Sequence, residues 1–330
     1  MISQNTKKIV CIGGGTGTFV VLRGLKQFHH TLSAIVTMSD SGGSNRRLRD
    51  EFGLLPTSDL RQCLVALADE SGGVGLLRKL FMYRFEKGNG IAGMTFGNLF
   101  MAALTDIVGS QAEAIRKTGK VLRIKGSVIP VTFTDANLYA TYENGHTVNE
   151  EHLIDEPTHD GKLKITHVSL KPQAEANPDA LKVIKQADLI VLGPGDLYTS
   201  IIPNLLVSGI ADALIHAKGK IVYVLNLMTK FGQTYNFTAS DHIHVLEQFI
   251  GTSLKAVVVN SDTFPKDALD AYAKCNEAPV VDDLGNEYFS VIRTPLVNES
   301  VHEKSSADTL VRSLIRHDSD ALSNVLVSLL

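Results

Sequence analysis

The chain has 330 residues, 44% of them apolar, and a formal net charge of −3. That is enough apolar material for a sizeable core without staples, and with no basic run there is nothing to draw nucleic acid in bulk. Cys11, Cys63 and Cys275 are widely spaced and form no CxxC pair, which argues against a disulfide framework and a structural zinc site. The N-terminus lacks the apolar run of a signal peptide, and no stretch of about 18 apolar residues exists to span a membrane. A cytoplasmic protein without membrane insertion is the expectation.

Ile9 to Ile12 is a short continuous apolar run, the pattern of a strand buried on both faces. Gly13-Gly14-Gly15-Thr16-Gly17-Thr18 follows at once. Phe19, Val20, Leu22 and Leu25 are then spaced as in a helix, and Ala34 to Met38 form a second strand. Strand, glycine loop, helix and strand make a βαβ unit, which predicts a parallel sheet. Leu60, Cys63, Leu64 and Leu67 mark the buried face of another helix, with Asp59 in position to cap it and Gln62 three residues on. Leu104, Ile107, Val108, Ala112 and Ile115 predict one longer amphipathic helix, starting just after Gly97-Asn98.

From about Val121 to Leu170 the pattern changes to short alternating runs, such as Ser127 to Thr132 and Asn137 to Tyr142. Glu143-Asn144-Gly145-His146 is a hairpin signal, because Asn-Gly accepts the positive φ angles of a tight turn. An antiparallel β region inserted at 121–170 is expected. The α/β pattern resumes with the strand Asp188 to Leu192, the loop Gly193-Pro194-Gly195-Asp196 and a helix from about Ser200. Ile221 to Leu225 and Ala256 to Val259 read as further strands, and the last thirty residues read as helical. The fold class expected is α/β: a Rossmann-like, mostly parallel sheet with helices on both faces.

Ligands of an open parallel sheet bind beyond the carboxyl ends of its strands. The residues there are Gly13 to Thr18, Ser39-Asp40-Ser41, Gly193 to Asp196, Asn226 and Asn260. Two of these segments are glycine loops that run into helices. They expose backbone N–H groups beside a helix N-terminus, a setting that favours an anion. The first is not a Walker loop, since no Gly-Lys-Ser/Thr follows, and Thr18 stands where GxGxxG has its third glycine. Asp40 can hold a ribose hydroxyl, act as a general base, bind a metal such as Mg2+, or simply turn the chain. Arg46, Arg47 and Arg49 suit phosphate clamping, with at least one expected to be solvated. Asn98 either caps its helix or reaches the ligand. Tyr198, Thr199 and Ser200 either donate to a phosphate or start a helix. His242 and His244 are two apart on a helix and face different ways. Neither an HExxH nor a GxSxG pattern is present.

These stretches together resemble the gluconeogenesis factor family, relatives of the 2-phospho-L-lactate transferases of deazaflavin-coenzyme synthesis. The resemblance is carried by Ile12 to Thr18, by Val36 to Asp50 with its Ser39-Asp-Ser-Gly-Gly-Ser44, and by Asp59-Leu-Arg-Gln62. It continues in Gly97-Asn98, in Gly193 to Ser200 with Pro203 to Val207, in Asn226-Leu-Met-Thr229 and in Thr238 to His242. It spans nearly the whole chain and implies a single domain over 1–330. In the transferase branch the Gly-Pro-Gly loop holds a nucleotide diphosphate and the aspartate after the second strand lies near the transfer site. Those roles would fall on Gly193, Pro194, Gly195 and Asp40. In the gluconeogenesis-factor branch the similar site is associated with UDP-sugars, and the branch supports cell shape and wall synthesis on gluconeogenic carbon sources. Two departures stand out. Asp40-Ser41 replaces the paired aspartates of many relatives. Gln233 and Phe237 replace a glutamate and a phenol, for which Tyr235 is the substitute at hand.

Three readings follow. The first is a nucleotide-sugar sensor acting through cell-envelope protein partners, compatible with a homo-oligomer. The second is a transferase moving a phosphate-linked group from a nucleoside diphosphate to a hydroxyl. The third, an NAD enzyme, lacks both a clean GxGxxG and a redox constellation. The residues expected around the nucleotide are Gly13, Gly14, Gly15, Thr16, Gly17, Asn98, Gly193, Pro194, Gly195, Asp196, Tyr198, Thr199, Ser200, Asn226 and Thr229. Asp40 is the catalytic candidate, with Mg2+ as the cofactor it would hold.

Overall fold

The computed structural model describes residues 6–70, 73–298 and 314–330. The chain opens with β1 (Lys8–Gly13), α1 (Gly15–Leu25) and β2 (Thr31–Val36). Helices α2 (Gly43–Phe52), α3 (Ser58–Leu67), α4 (Val74–Met82), α5 (Phe96–Val108) and α6 (Gln111–Val121) then lead to β3 (Ser127–Pro130). Next come β4 (Asn137–Tyr142), β5 (Thr147–Asn149), α7 (Glu151–Asp155) and β6 (Ile165–Lys171). Helix α8 (Pro178–Gln186) precedes β7 (Leu189–Leu192), a π-helical turn at Leu197–Ile201, α9 (Ile202–Leu205), α10 (Ile210–Ile215) and β8 (Lys220–Val224). The chain continues through α11 (Ala239–Ile250), β9 (Ala256–Asn260), α12 (Lys266–Lys274), β10 (Ser290–Thr294) and α13 (Ser319–Ser328).

Seven strands form one parallel sheet in the order β10-β9-β8-β7-β1-β2-β3. Strand β7 is buried along its whole length, as are β1 and β8 beyond their first residues, which is why they read as unbroken apolar runs. From β1 the chain builds outward to β2 and β3, then returns to the other side of β1 for β7 to β10. The reversal falls between β1 and β7, which pair from Ile9–Leu189 to Ile12–Leu192. A crevice opens where neighbouring strands send their connections opposite ways. The topology therefore brings the ends of Gly13 and Gly193 side by side.

The expected α/β architecture is present, as is a separate three-stranded antiparallel sheet in the order β5-β4-β6. Its hairpin turns at Asn144-Gly145, where Gly145 takes φ +82°. The run at Ser127, grouped by its alternation with the inserted region, instead pairs parallel with β2 and extends the main sheet.

Other expectations need correction. The single long helix is two, because Gly109 adopts φ +70° and ends α5, and Ser110 caps α6. Ile107 is consequently exposed rather than on a buried stripe. Asp59 does not cap α3: Thr57 is the N-cap and the aspartate lies one residue inside the helix. Asn98 does not cap α5 either, since Thr95 Oγ1 accepts from its backbone N–H. Of the last thirty residues, Ser319–Ser328 are helical, while 301–313 lie outside the described residues. Helix α13 is capped by Asp318 and packs on α1, with Ser319 Oγ donating to the Val20 carbonyl at 2.7 Å. Among the described residues no helix is long and apolar enough to cross a membrane.

Candidate functional site

At the switch point the two glycine loops touch. A Cβ on Gly17 would fall on the Pro194 carbonyl, so only glycine allows this approach. Gly15 takes φ +60° and turns the chain straight into α1, so the first loop is shorter than its sequence suggests. No side chain caps α1 at Gly14, leaving its first N–H groups to face the crevice. On the other strand, Gly193 takes φ +70° and the Gly195 N–H reaches Asn226 Oδ1 at 3.5 Å. The π-helical turn beginning at Leu197 then leads into α9. Asn204, fully buried, donates to the Gly13 carbonyl at 3.3 Å and the Ser200 carbonyl at 2.8 Å, fastening one loop to the other.

The crevice is a cavity of about 500 Å3. Towards β2 its wall carries Asp40, Gly43, Ser44, Arg47, Asp59 and Arg61. Asp40 is held in place: the Gly42 N–H donates to Oδ1 at 2.9 Å and Asn45 Nδ2 to Oδ2 at 2.6 Å. Asn45 in turn accepts from the backbone of Thr57 and Ser58, tying the loop after β2 to the start of α3. Asn98 completes this scaffold. It is fully buried, accepts from Arg61 Nε at 3.0 Å, and donates to Ser44 and Ser58. It positions residues of the wall and does not itself line the cavity. Glu151, at the start of α7, accepts from the Ser41 N–H at 3.3 Å. Burial, with Asp40 and Asp155 nearby, pushes its carboxyl well above the usual range.

Towards β8 the wall is different. Asp155, Asp196 and Glu277 surround Lys230, whose ammonium lies 3.7 Å from both Asp155 and Glu277. Burial opposes the charge on Lys230, but the carboxylates outweigh it and raise its pKa. Burial and then Asp155 push Asp196 up to about 6, against the pull of Lys230. Beyond them lie Leu227, Met228, Tyr272 and Ile315, and His317, which burial pulls down to about 4 and so keeps neutral.

Of the residues expected from sequence, Gly14, Gly15, Thr16, Gly17, Asp40, Pro194, Gly195, Asp196, Ser200, Asn226 and Thr229 meet in this one cavity. Gly13 and Gly193 end the strands just behind it. Tyr198 and Thr199 do not line it: both are buried, and Thr199 is bonded to Gln233. The Thr229 hydroxyl is engaged by the Ala278 N–H at 3.0 Å. Phe237 belongs to the core, and Tyr235 packs on Phe231, so neither places an aromatic ring on the cavity wall. Gln233 instead bridges Thr199 and Asp155. Asn260 accepts from Asp262 and Leu296 in a turn. Among the described residues, no three His, Cys, Asp or Glu side chains converge to hold a metal ion. Sequence reasoning missed Asn45, Lys230, Glu151 and Glu277. Asn45 and Glu151 lie in the first turns of helices and Lys230 and Glu277 in connections, where nothing local marks them.

The fold and crevice define an α/β protein with a cleft between two glycine loops at the topological switch point of its sheet. Residues 9–297 match the family model described as 2-phospho-L-lactate transferase CofD. The chain is 41% identical over 331 residues to the "Putative gluconeogenesis factor" of Aquifex aeolicus, covering 98% of this chain and 96% of that one. It is 39% identical over 328 residues to the "Gluconeogenesis factor" of Bacillus subtilis, covering 98% of both. A crystal structure from Bacillus halodurans, described as a member of the UPF0052 family, matches with a TM-score of 0.87 at 35% identity, over 98% of this chain and 100% of that one. The chain belongs to this CofD/UPF0052 family, in which these relatives carry the name gluconeogenesis factor.

Proposed function

We propose that the cleft binds a nucleotide sugar, a UDP-sugar in the first instance. On this reading the protein is a regulator of cell shape and envelope synthesis during growth on gluconeogenic carbon, working through protein partners. The observation that carries the reading is the contact of the two glycine loops at Gly17 and Pro194. It brings the start of α1, which no side chain caps, against the second glycine loop, a setting that suits a diphosphate. The apolar wall of Leu227, Met228, Tyr272 and Ile315 suits a base, and the polar wall around Asp40 suits a hydroxylated sugar. The name of the Bacillus subtilis relative supports the link to gluconeogenic growth. Mg2+ held through ligand phosphates needs one or two carboxylates and otherwise water, and Asp40 or Asp196 would serve.

Calorimetric titration with UDP-N-acetylglucosamine, GDP and NAD, with and without Mg2+, tests this. Selective micromolar binding of the UDP-sugar is expected. Selective binding of GDP, or heat from slow turnover, would replace the regulator with a transferase. One observation favours that second reading: Asp40 is held by two donors on the cavity wall, as a base that accepts a hydroxyl proton would be. Under it, Asp40→Asn lowers turnover by on the order of 100-fold; under the first reading it changes affinity by only a few-fold.

A further inference from the structure

We infer that His317 reads the base of the bound nucleotide: its Nδ1 accepts a hydrogen bond from the ring N–H of uracil. The inference rests on the nucleotide-sugar reading and names the side chain that selects the base within it.

His317 stands on the apolar wall of the cavity with Leu227, Met228, Tyr272 and Ile315, and only 6% of it is exposed. Its Nε2 lies 3.2 Å from the carbonyl of Leu225, the residue after β8. A carbonyl oxygen only accepts, so Nε2 carries a proton and donates it. Burial pulls the pKa of the ring down to about 4, so near neutral pH it holds that one proton and no second. Nδ1 is then a bare acceptor, turned away from the Leu225 carbonyl across the ring. It has no hydrogen-bond partner among the described residues and is not sealed off from solvent. For a ring this deeply buried on the cavity wall, that access is the cavity itself.

The segment that carries the ring is fixed on both sides of it. The Arg316 carbonyl accepts from the Asn298 N–H at 2.9 Å, and the Asp318 N–H donates to the Leu296 carbonyl at 2.6 Å. The Tyr272 hydroxyl accepts from the N–H groups of Leu314 and Ile315 at 2.9 and 3.2 Å. Little orientational freedom is left to be lost when a ligand binds.

A single acceptor on an apolar wall sorts the pyrimidines. Uracil presents a donor, N3–H, between two carbonyls. Cytosine presents a bare N3 at the same place, which would meet Nδ1 lone pair to lone pair and leave both unsatisfied. Charge does not make this distinction. Arg316, Lys230, Asp155, Asp196 and Glu277 also line the cavity, and they meet the same diphosphate in either nucleotide. The apolar wall does not make it either, since the two rings are of one size. Guanine carries a like donor at N1, so His317 separates uracil from cytosine and leaves guanine to the size of the pocket.

Competition calorimetry tests this, with UDP and CDP each displacing UDP-N-acetylglucosamine from the wild-type protein and from His317→Phe. The wild type is expected to bind UDP about tenfold or more tightly than CDP. The ratio should fall to near one in His317→Phe, which keeps a ring without its nitrogens. That variant leaves the Leu225 carbonyl unpaired, so a ligand probe on the wild type stands beside it. 3-Methyl-UDP, whose N3 has no proton, should bind about as weakly as CDP. Equal affinities of UDP and CDP for the wild type, a preference that survives in His317→Phe, or undiminished binding of 3-methyl-UDP overturns the inference and leaves the nucleotide-sugar reading standing. Failure of UDP-N-acetylglucosamine to bind the wild type removes the reading and the inference with it.

Discussion

The two ends of the cleft are made by the same device, polar residues at the carboxyl ends of parallel strands, yet they solve different electrostatic problems. At the β2 end, long-range hydrogen bonds through Asn45 and Asn98 hold one carboxylate and a buried arginine. At the β8 end, Lys230 lies 3.7 Å from both Asp155 and Glu277, and burial raises the pKa of Asp196 and Glu277. The first end is held by a hydrogen-bond network and the second by charges around one ammonium. What the two share is the contact between the glycine loops, and a diphosphate there would feel both.

The strongest way to break this comparison is to force the loops apart. Gly17→Val, whose side chain would overlap Pro194, is expected to cost about 1–3 kcal/mol of stability and on the order of 100-fold in ligand affinity through misplacement. Denaturant unfolding and calorimetry measure the two effects separately. Asn98→Ala strikes the β2 end alone. It leaves the Arg61 guanidinium short of a buried partner and is expected to cost about 2–3 kcal/mol, read from the urea midpoint.

The β8 end is probed by pH. The folded protein holds the Asp196 proton up to about 6, whereas the unfolded chain releases it near 3.8. This group's contribution to stability is therefore complete below about 3.8 and is lost as pH rises through about 6. Ionised Asp196 also repels an anionic ligand on the adjoining loop, so affinity should weaken a few-fold from pH 5.5 to 7.5. Asp196→Asn should flatten both slopes. An unchanged slope in the variant would assign the titration to Glu277 or Glu151 instead. The smallest effect is expected at Arg46, exposed and paired with Asp50 beside the cleft arginine. Arg46→Ala should shift stability by no more than about 0.5 kcal/mol and leave ligand binding unchanged.

Much of the scaffold was legible because its signals are local. Continuous apolar runs gave β1, β7, β8 and β9. Glycines at strand ends gave the loops, and Asn144-Gly145 gave the hairpin. Errors arose where tertiary contacts decide. Ser127 to Pro130 alternates like an exposed strand but closes the edge of the parallel sheet. Gly109 breaks a helix whose apolar spacing runs on past it. Asn98, expected to cap its helix or reach the ligand, instead holds Arg61 and two serines, a role that depends on partners 37 to 54 residues away. Lys230 and Glu277 carry no motif at all, and only the folding of α12 against the turn after β8 brings them together.

The docking of α13 on α1 has a consequence for how the molecule is read out from its far end. Ser319 bonds to Val20, and the Ser319 carbonyl closes over Gly24, so the last helix braces the helix whose first turn faces the crevice. Occupancy of the crevice and attachment of the final segment are thus thermodynamically linked. A ligand that steadies α1 is therefore expected to slow amide exchange in α13, and loss of the α13 contact is expected to weaken the ligand.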